Sequence, residues 1–337
     1  MSARHYAILP SRAVLEIGGP DRHNFLQGLV SSDATKVGPS RALHAGFLTA
    51  QGRFLHEFHM AEPGEAILLD AEAARLDDLV KRLKLYKLRS KVTITPRPEL
   101  AVGVAWGEGA SPAFGLGGEA GAAKPEAEGV VFVDPRLAAL GVRAILPRTR
   151  FAEIACAAGC AAGDEAAYDA LRISLGVPDG SRDLPVEDAL LLENGFDELN
   201  GVDWKKGCYV GQEVTARMKY RGLTKKRLVP VSIDGPVPAP GTQVTLDGAE
   251  AGEMRSSAGT MGLALLRLDV FPVMIPYVGA NYFCFDAKAI RILAGSVDTG
   301  PSFAGGIRAK NVRVVGSSWR IRGEWQKNER PAPKRRR

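Results

Sequence analysis

The segment Lys205-Lys206-Gly207-Cys208-Tyr209-Val210-Gly211-Gln212-Glu213 is the densest run of chemically specific residues in the chain. One cysteine stands between two glycines, directly after two lysines and ahead of a Gln-Glu pair. A thiolate, not a thiol, is the nucleophile and metal ligand, and neighbouring cations favour it. The glycines permit a tight turn, and a helix opening after Gly211 would add its positive end. Cys208 can therefore be a redox-active thiol, a nucleophile or an iron ligand. The same pattern also fits a small apolar side chain buried in a turn. Exposure separates the two readings.

Other residues offer weaker chemistry. Arg217, Lys219 and Arg221 follow at alternate positions, with Tyr220 among them. With Lys205 and Lys206 they form either a wall for a carboxylate-bearing ligand or a solvated face. Glu193, after the apolar run Leu190-Leu191-Leu192, can face a pocket and accept from a heterocycle's N–H groups, or can start a surface loop. Cys156 and Cys160 are read as core cysteines, because no second Cys/His pair follows at zinc spacing. In His56-Glu57-Phe58-His59 the histidines are three apart in a strand. They face opposite sides and cannot share one metal. Gly115-Leu116-Gly117-Gly118-Glu119-Ala120-Gly121 does not fit the dinucleotide pattern and opens no helix.

The elements that must position these residues are mixed. Strands are predicted over 6–9, 13–17, 42–49, 53–60, 66–70, 92–95, 100–106, 130–133 and 142–146. Helices are predicted from Pro20-Asp21-Arg22, over 71–85, over 164–175 and from Gln212 to a stop at Tyr220-Arg221-Gly222. Residues 107–128, rich in Gly, Ala, Glu and Pro, read as a loop or flexible insertion. Short strands over 229–233, 243–246 and 261–268 suggest a small β-barrel or sandwich. Beyond about residue 270 only strand-like pieces survive, such as 289–293 and 312–315, and no role follows for them.

The chain has 337 residues, 45% hydrophobic and 24% charged, and suits two or three globular domains. It lacks a run of eighteen apolar residues, so a transmembrane helix is not expected, and the first ten residues do not read as a signal peptide. Four cysteines are too few for a disulfide framework, which points to a reducing compartment. The net charge of +6 is uneven. Residues 271–337 carry 13 Lys/Arg and 4 Asp/Glu, a net of +9, and the remainder is −3. Such a tail is expected to be solvated, with polyanion binding as the alternative.

The thiol segment with Ala216-Arg217 resembles the signature of the YgfZ family, folate-binding proteins related to the aminomethyltransferase (T-protein) of the glycine cleavage system. So do Leu191 through Asn200-Gly201-Val202-Asp203-Trp204 to Arg227, and Gly19-Pro20-Asp21 with Phe25-Leu26-Gln27-Gly28-Leu29 and Asp33. Leu48-Thr49-Ala50-Gln51-Gly52-Arg53-Phe54-Leu55 and Leu85-Tyr86-Lys87-Leu88-Arg89-Ser90-Lys91-Val92 extend the resemblance, which covers residues 5 to about 270.

The resemblance implies an α+β fold, a T-protein-like ring of three domains. Two α+β domains with antiparallel sheets, free to interleave, would fill residues 1–220. A C-terminal β-barrel, complete or not, would fill 221–270, and 271–337 would be an atypical basic tail. It implies a tetrahydrofolate-binding accessory protein for assembly or repair of iron–sulfur clusters, notably in [4Fe–4S] enzymes including those that modify tRNA. Cys208 would be the reactive thiol or transient cluster ligand. Glu193, Lys206, Tyr209, Gln212, Glu213, Arg217 and Arg221 would serve the folate site. Partners would be iron–sulfur carriers, A-type ones in mitochondrial relatives, and client enzymes, in the cytoplasm or, in a eukaryote, the mitochondrial matrix.

The sequence departs from T-proteins in two places. His56-Glu57 stands where they carry an acidic pair, which argues against true aminomethyl transfer. The tail after about Asp269 suggests a divergent, fused or frame-shifted C-terminus. A folate-dependent one-carbon transferase and an RNA-binding protein acting through the tail are the rival readings.

Overall fold

The computed structural model describes residues 3–246, 248–270 and 290–292. The chain interleaves two sheets before it builds a third. β1 (His5–Ile8) lies in one sheet, and the chain then crosses to another through β2 (Arg12–Gly18), α1 (Arg22–Gln27), β3 (Leu43–Leu48), β4 (Phe54–Ala61), β5 (Ile67–Glu72), α2 (Leu76–Lys87) and β6 (Thr93–Pro96). Their strand order is β3-β4-β5-β2-β6. The chain returns with β7 (Leu100–Trp106), α3 (Ala110–Ala113), β8 (Ala123–Glu126), β9 (Gly129–Val133), β10 (Val142–Pro147), α4 (Arg148–Ala157) and β11 (Ala161–Ala162). The first sheet therefore runs β11-β1-β7-β10-β9-β8, antiparallel except for β1 with β11.

α5 (Glu165–Ser174) and α6 (Gly180–Asp183) lead to the thiol segment and α7 (Gln212–Arg221). Asp164 caps α5, accepting the Ala167 N–H at 2.7 Å, as its residue type and position predict. The third sheet joins β12 (Lys226–Ser232), β13 (Gln243–Leu246), β14 (Ala249–Ala258), β15 (Met261–Arg267) and β16 (Ile290–Ile292) in the order β12-β15-β14-β13-β16.

Each sheet buries one face in its own core. Phe25 and Leu26 of α1 and Leu79 and Leu83 of α2 pack on Ile17, Phe47, Phe58 and Met60. Phe151 of α4 packs against Val131, Val142 and Ala144. Val229, Val244, Met254 and Ala264 fill the third sheet's core, and Ile173 of α5 joins it to the body through Leu228 and Leu263.

Several expectations change. Residues 107–128 are not one loose insertion. They hold α3 and β8, and β8 pairs with β9 from Ala123↔Phe132 to Glu126↔Gly129. Pairing to a hydrophobic neighbour overrides the strand's poor composition. α4 and β14 went unread because Gly, Ala, Ser and charged residues blur their periodicity. The third sheet passes the 270 boundary, since β16 pairs Val244↔Ile292. Cys160 is buried as expected, but Cys156 is exposed on α4, because a helix turns only one of its faces to the core. Cys284, the 312–315 segment and the basic C-terminus lie outside the described residues. No helix among the described residues is long and apolar enough to cross a membrane.

Candidate functional site

The thiol loop is fastened on both sides of Cys208. Upstream, the Asp203 N–H donates to Ser31 O at 3.0 Å, and Ser31 Oγ donates to Gly201 O at 2.5 Å. The Lys206 ammonium then donates to the carbonyls of Gln27, Val30 and Ser32, and lies 5.0 Å from the Tyr209 ring centroid. Burial pushes that ammonium down to about 8, with Asp33 and Asp203 opposing the shift. Downstream, the Val210 N–H donates to Gly28 O at 3.1 Å. Gly211 has φ 81°, and a Cβ there would stand 2.3 Å from Thr49 O and 3.0 Å from Gly52 Cα. Gly52, at φ 77°, would clash in turn with Gly211 O. The β3–β4 turn and the thiol loop thus meet backbone to backbone, which only glycine allows at these two points.

Between the anchors the chain is open. Gly207 has no neighbour within 4 Å of an added Cβ, and Cys208 is an exposed free thiol. Exposure removes the reading of Cys208 as a small buried hydrophobe. The Gln212 side chain accepts the Tyr209 N–H at 3.3 Å and closes the turn before α7. Burial pushes the Tyr209 phenol up to about 12.

The structure brings Cys208, Lys206, Tyr209 and Gln212 into one turn. It corrects the role expected of Lys206, whose ammonium is engaged by three backbone carbonyls rather than free to pair with the thiol or an anion. Glu213, Arg217 and Arg221 are exposed on α7. Lys219 pairs with Asp197 and sits 5.1 Å over the Trp204 ring. Glu193 lies in a turn that touches both α7 and β12, accepting the Lys226 N–H at 3.3 Å.

A cleft of about 410 Å³ opens next to the loop. Trp204, Lys205, Asp203, Lys36 and Arg41 line its sides, and His44 lies beneath. Lys36 is paired to Asp203 at 2.5 Å, whereas Arg41 and Lys205 have no ion-pair partner among the described residues. Sequence reasoning missed Lys36 and Arg41, which lie about 160 residues from the motif. Trp204 and Asp203 stood directly before Lys205, and that adjacency was the available signal.

Under the cleft lies a buried ionic layer between the first two sheets. His44 Nε2 is 3.2 Å from Glu57 Oε2. Arg12 pairs with Asp70 at 2.6 Å, Arg143 bridges Asp70 at 2.5 Å and Asp134 at 3.3 Å, and Arg136 holds Asp134 at 2.8 Å. Burial alone would raise the Asp70 carboxyl, but Arg12 and Arg143 hold it well below the usual range. Burial, with Arg143, pushes His59 down to about 3. His59 Nδ1 lies 3.2 Å from Asp70, while His56 turns the other way to Asp78 at 2.9 Å. The two histidines do face opposite sides, and no cluster of metal-ligating residues occurs among the described residues.

Comparison with known proteins places this architecture. The solved aminomethyltransferase T of the glycine cleavage system from Bartonella henselae shares the fold, with a TM-score of 0.68 at 14% identity over 86% of this chain and 82% of that one. Residues 225–277 match the family "CAF17, C-terminal beta-barrel domain". The mitochondrial iron–sulfur cluster assembly factor IBA57 of Mus musculus is 37% identical, over 77% of this chain and 76% of its own length. Its Homo sapiens counterpart is 36% identical over the same shares. This chain belongs to the IBA57 family of iron–sulfur cluster assembly factors. The motif resemblance to YgfZ is thereby corrected to a neighbouring branch: YgfZ is the bacterial relative, and IBA57 is the family shown. In this IBA57-family chain the pinned turn carries an exposed thiol beside a cleft, whereas the other exposed cysteine among the described residues, Cys156, lies on α4 with Sγ 3.9 Å from the Tyr6 hydroxyl.

Proposed function

We propose that the chain is a tetrahydrofolate-binding accessory protein for assembly or repair of iron–sulfur clusters, with Cys208 as the reacting thiol. The carrying observation is an exposed cysteine on a loop fixed at both ends. The loop costs little entropy to present its sulfur, because Lys206 and Gly211 have already ordered it. A cluster needs about four protein ligands, and Cys208 supplies one. The remaining ligands would come from a carrier or client protein, so the cluster is cargo shared with a partner. [4Fe–4S] enzymes that modify tRNA are the proposed clients. In a eukaryote the compartment would be the mitochondrial matrix, matching the names of the two relatives.

The cleft fits a folate by residue type. Trp204 offers an aromatic face for a heterocycle, and the free cations Arg41 and Lys205 suit the glutamate carboxylates. Titration with tetrahydrofolate, following Trp204 fluorescence, should saturate in wild type and in Cys208→Ala. An Arg41→Ala/Lys205→Ala protein should bind more weakly. No saturation in wild type would remove the folate part of the proposal. Complementation of an assembly-factor deletion, read as client-enzyme activity, should fail with Cys208→Ala. Normal client activity would remove the thiol part.

Aminomethyl transfer is the less favoured reading. Glu57, the acid nearest the T-protein position, is 2% exposed. Its oxygens are engaged by His44, by the Gly180 N–H at 3.1 Å and by Arg12 at 3.6 Å. Release of ammonia from an aminomethyl donor would reverse that preference.

A further inference from the structure

Outside the cleft, the end of α2 groups three of the exposed large apolar side chains within four residues. Leu85 is 69% and Leu88 89% exposed, and Tyr86 lies between them at 39%. Leu88 has φ 41°, a backbone region that a leucine rarely adopts. The surrounding chain enforces it, because the Ser90 N–H donates to Lys87 O at 2.8 Å and the Lys91 N–H to Asp21 at 2.7 Å. Strain of this kind persists only where neighbouring structure holds it. An exposed leucine is thus fixed in one position rather than left to wander.

Charge surrounds it. Lys81, Arg82, Lys84, Lys87, Arg89 and Lys91 fall within eleven residues, and no Asp or Glu occurs between Asp78 and Glu99. Arg82 pairs with Asp78 and Glu187. The other five cations have no ion-pair partner among the described residues. The chain's own residues 271–337, at net +9, would be repelled by such a surface.

The patch is continuous with the thiol loop through α1. Asp21, at the start of α1, holds Lys91, and Gly28, at its end, accepts from Val210. The Tyr86 ring meets Phe47 at 5.9 Å, and the next residue, Leu48, touches the Gly211 position.

We propose that the cationic, leucine-bearing end of α2, residues 81–91, is the docking surface for an acidic protein with apolar side chains at its surface, held so that it reaches Cys208. A charged rim around a few apolar anchors is the anatomy of a specific protein interface. A bilayer needs no fixed leucine geometry, which is why a protein is favoured over an anionic membrane. The proposal rests on the assembly-factor reading, which supplies the class of partner: an iron–sulfur carrier.

The test uses the full chain, a purified cluster-loaded iron–sulfur carrier, and vesicles of equal parts phosphatidylcholine and phosphatidylserine. Lys84→Glu/Lys87→Glu should weaken carrier binding about tenfold or more, and Leu88→Gly, which permits the positive φ, should weaken it several-fold. A matched pair on α4, Arg148→Glu/Arg150→Glu, should leave it unchanged. Carrier binding equal in wild type and the α2 variants would overturn the surface and leave the assembly reading standing. No carrier binding to wild type would overturn both. Vesicle binding that is lost in the same variants, with the carrier unaffected, would assign the patch to membranes instead.

Discussion

The buried layer between the first two sheets and the thiol loop use similar residues to opposite ends. In the layer, Arg12, Arg136 and Arg143 meet Glu57, Asp70 and Asp134, and all six are buried and paired. In the loop, Lys206 is engaged by backbone carbonyls rather than by a carboxylate. Lys205, Arg217 and Cys208 stay exposed. A buried charge without a partner is too costly to keep, so these six groups are committed to one another. The loop has its order supplied by Lys206 and two glycines, so its thiol need not contribute to stability.

If that contrast holds, substitutions should order themselves by how much buried order they remove. Asp70→Asn takes the nearest carboxylate from Arg12 and Arg143, leaving them longer pairings, to Glu57 and Asp134, and should cost about 3 kcal/mol, read from urea unfolding. A loss near zero would break the contrast. Acid should act next. His56 titrates near its ordinary 6.5 when unfolded but near about 4 when folded, because burial, with Arg75, disfavours its charge. The unfolded chain therefore binds more protons between these values, and stability must fall as pH drops through that window. His59, pushed further down, extends the same trend. Each histidine should contribute about 3 kcal/mol of loss between pH 7 and 4, and His56→Gln should remove about half of the total. A flat urea midpoint from pH 7 to 4 would contradict it.

Gly211→Ala should cost about 2 kcal/mol from its positive φ alone, more with the Thr49 contact, and should loosen the thiol turn, seen as faster amide exchange at Val210. Lys206→Met should cost about 1.5 kcal/mol by removing its charged hydrogen bonds, while Lys205→Met should cost almost nothing. Smallest on stability, Cys208→Ser should shift it by less than about 0.5 kcal/mol yet abolish client maturation. A comparable stability loss would mean the thiol is structural after all.

Much of this was legible in the chain. Alternation placed β3, β4, β7 and β10 within a residue or two, and Asp164 and Gly222 marked the ends of α5 and α7. β8 and β14 were not legible, because their strand character comes from a neighbour rather than from their own composition. Within the site, Cys208, Gly211 and Gln212 could be read from spacing. The inward turn of Lys206 could not, since its three acceptors lie about 175 residues earlier.

The sequence by itself determined which atoms could react: one cysteine between glycines, beside cations, in a chain whose other motifs fail on spacing. Tertiary structure alone decided which of those atoms are free. Burial and pairing depend on long-range contacts, so Lys206 and Lys205, adjacent in the chain and identical in type, have opposite roles. One anchors the loop and the other faces the cleft. The same contacts carried Lys36 and Arg41 to that cleft, left Leu88 exposed, and brought Cys208 to the surface where a partner can reach it.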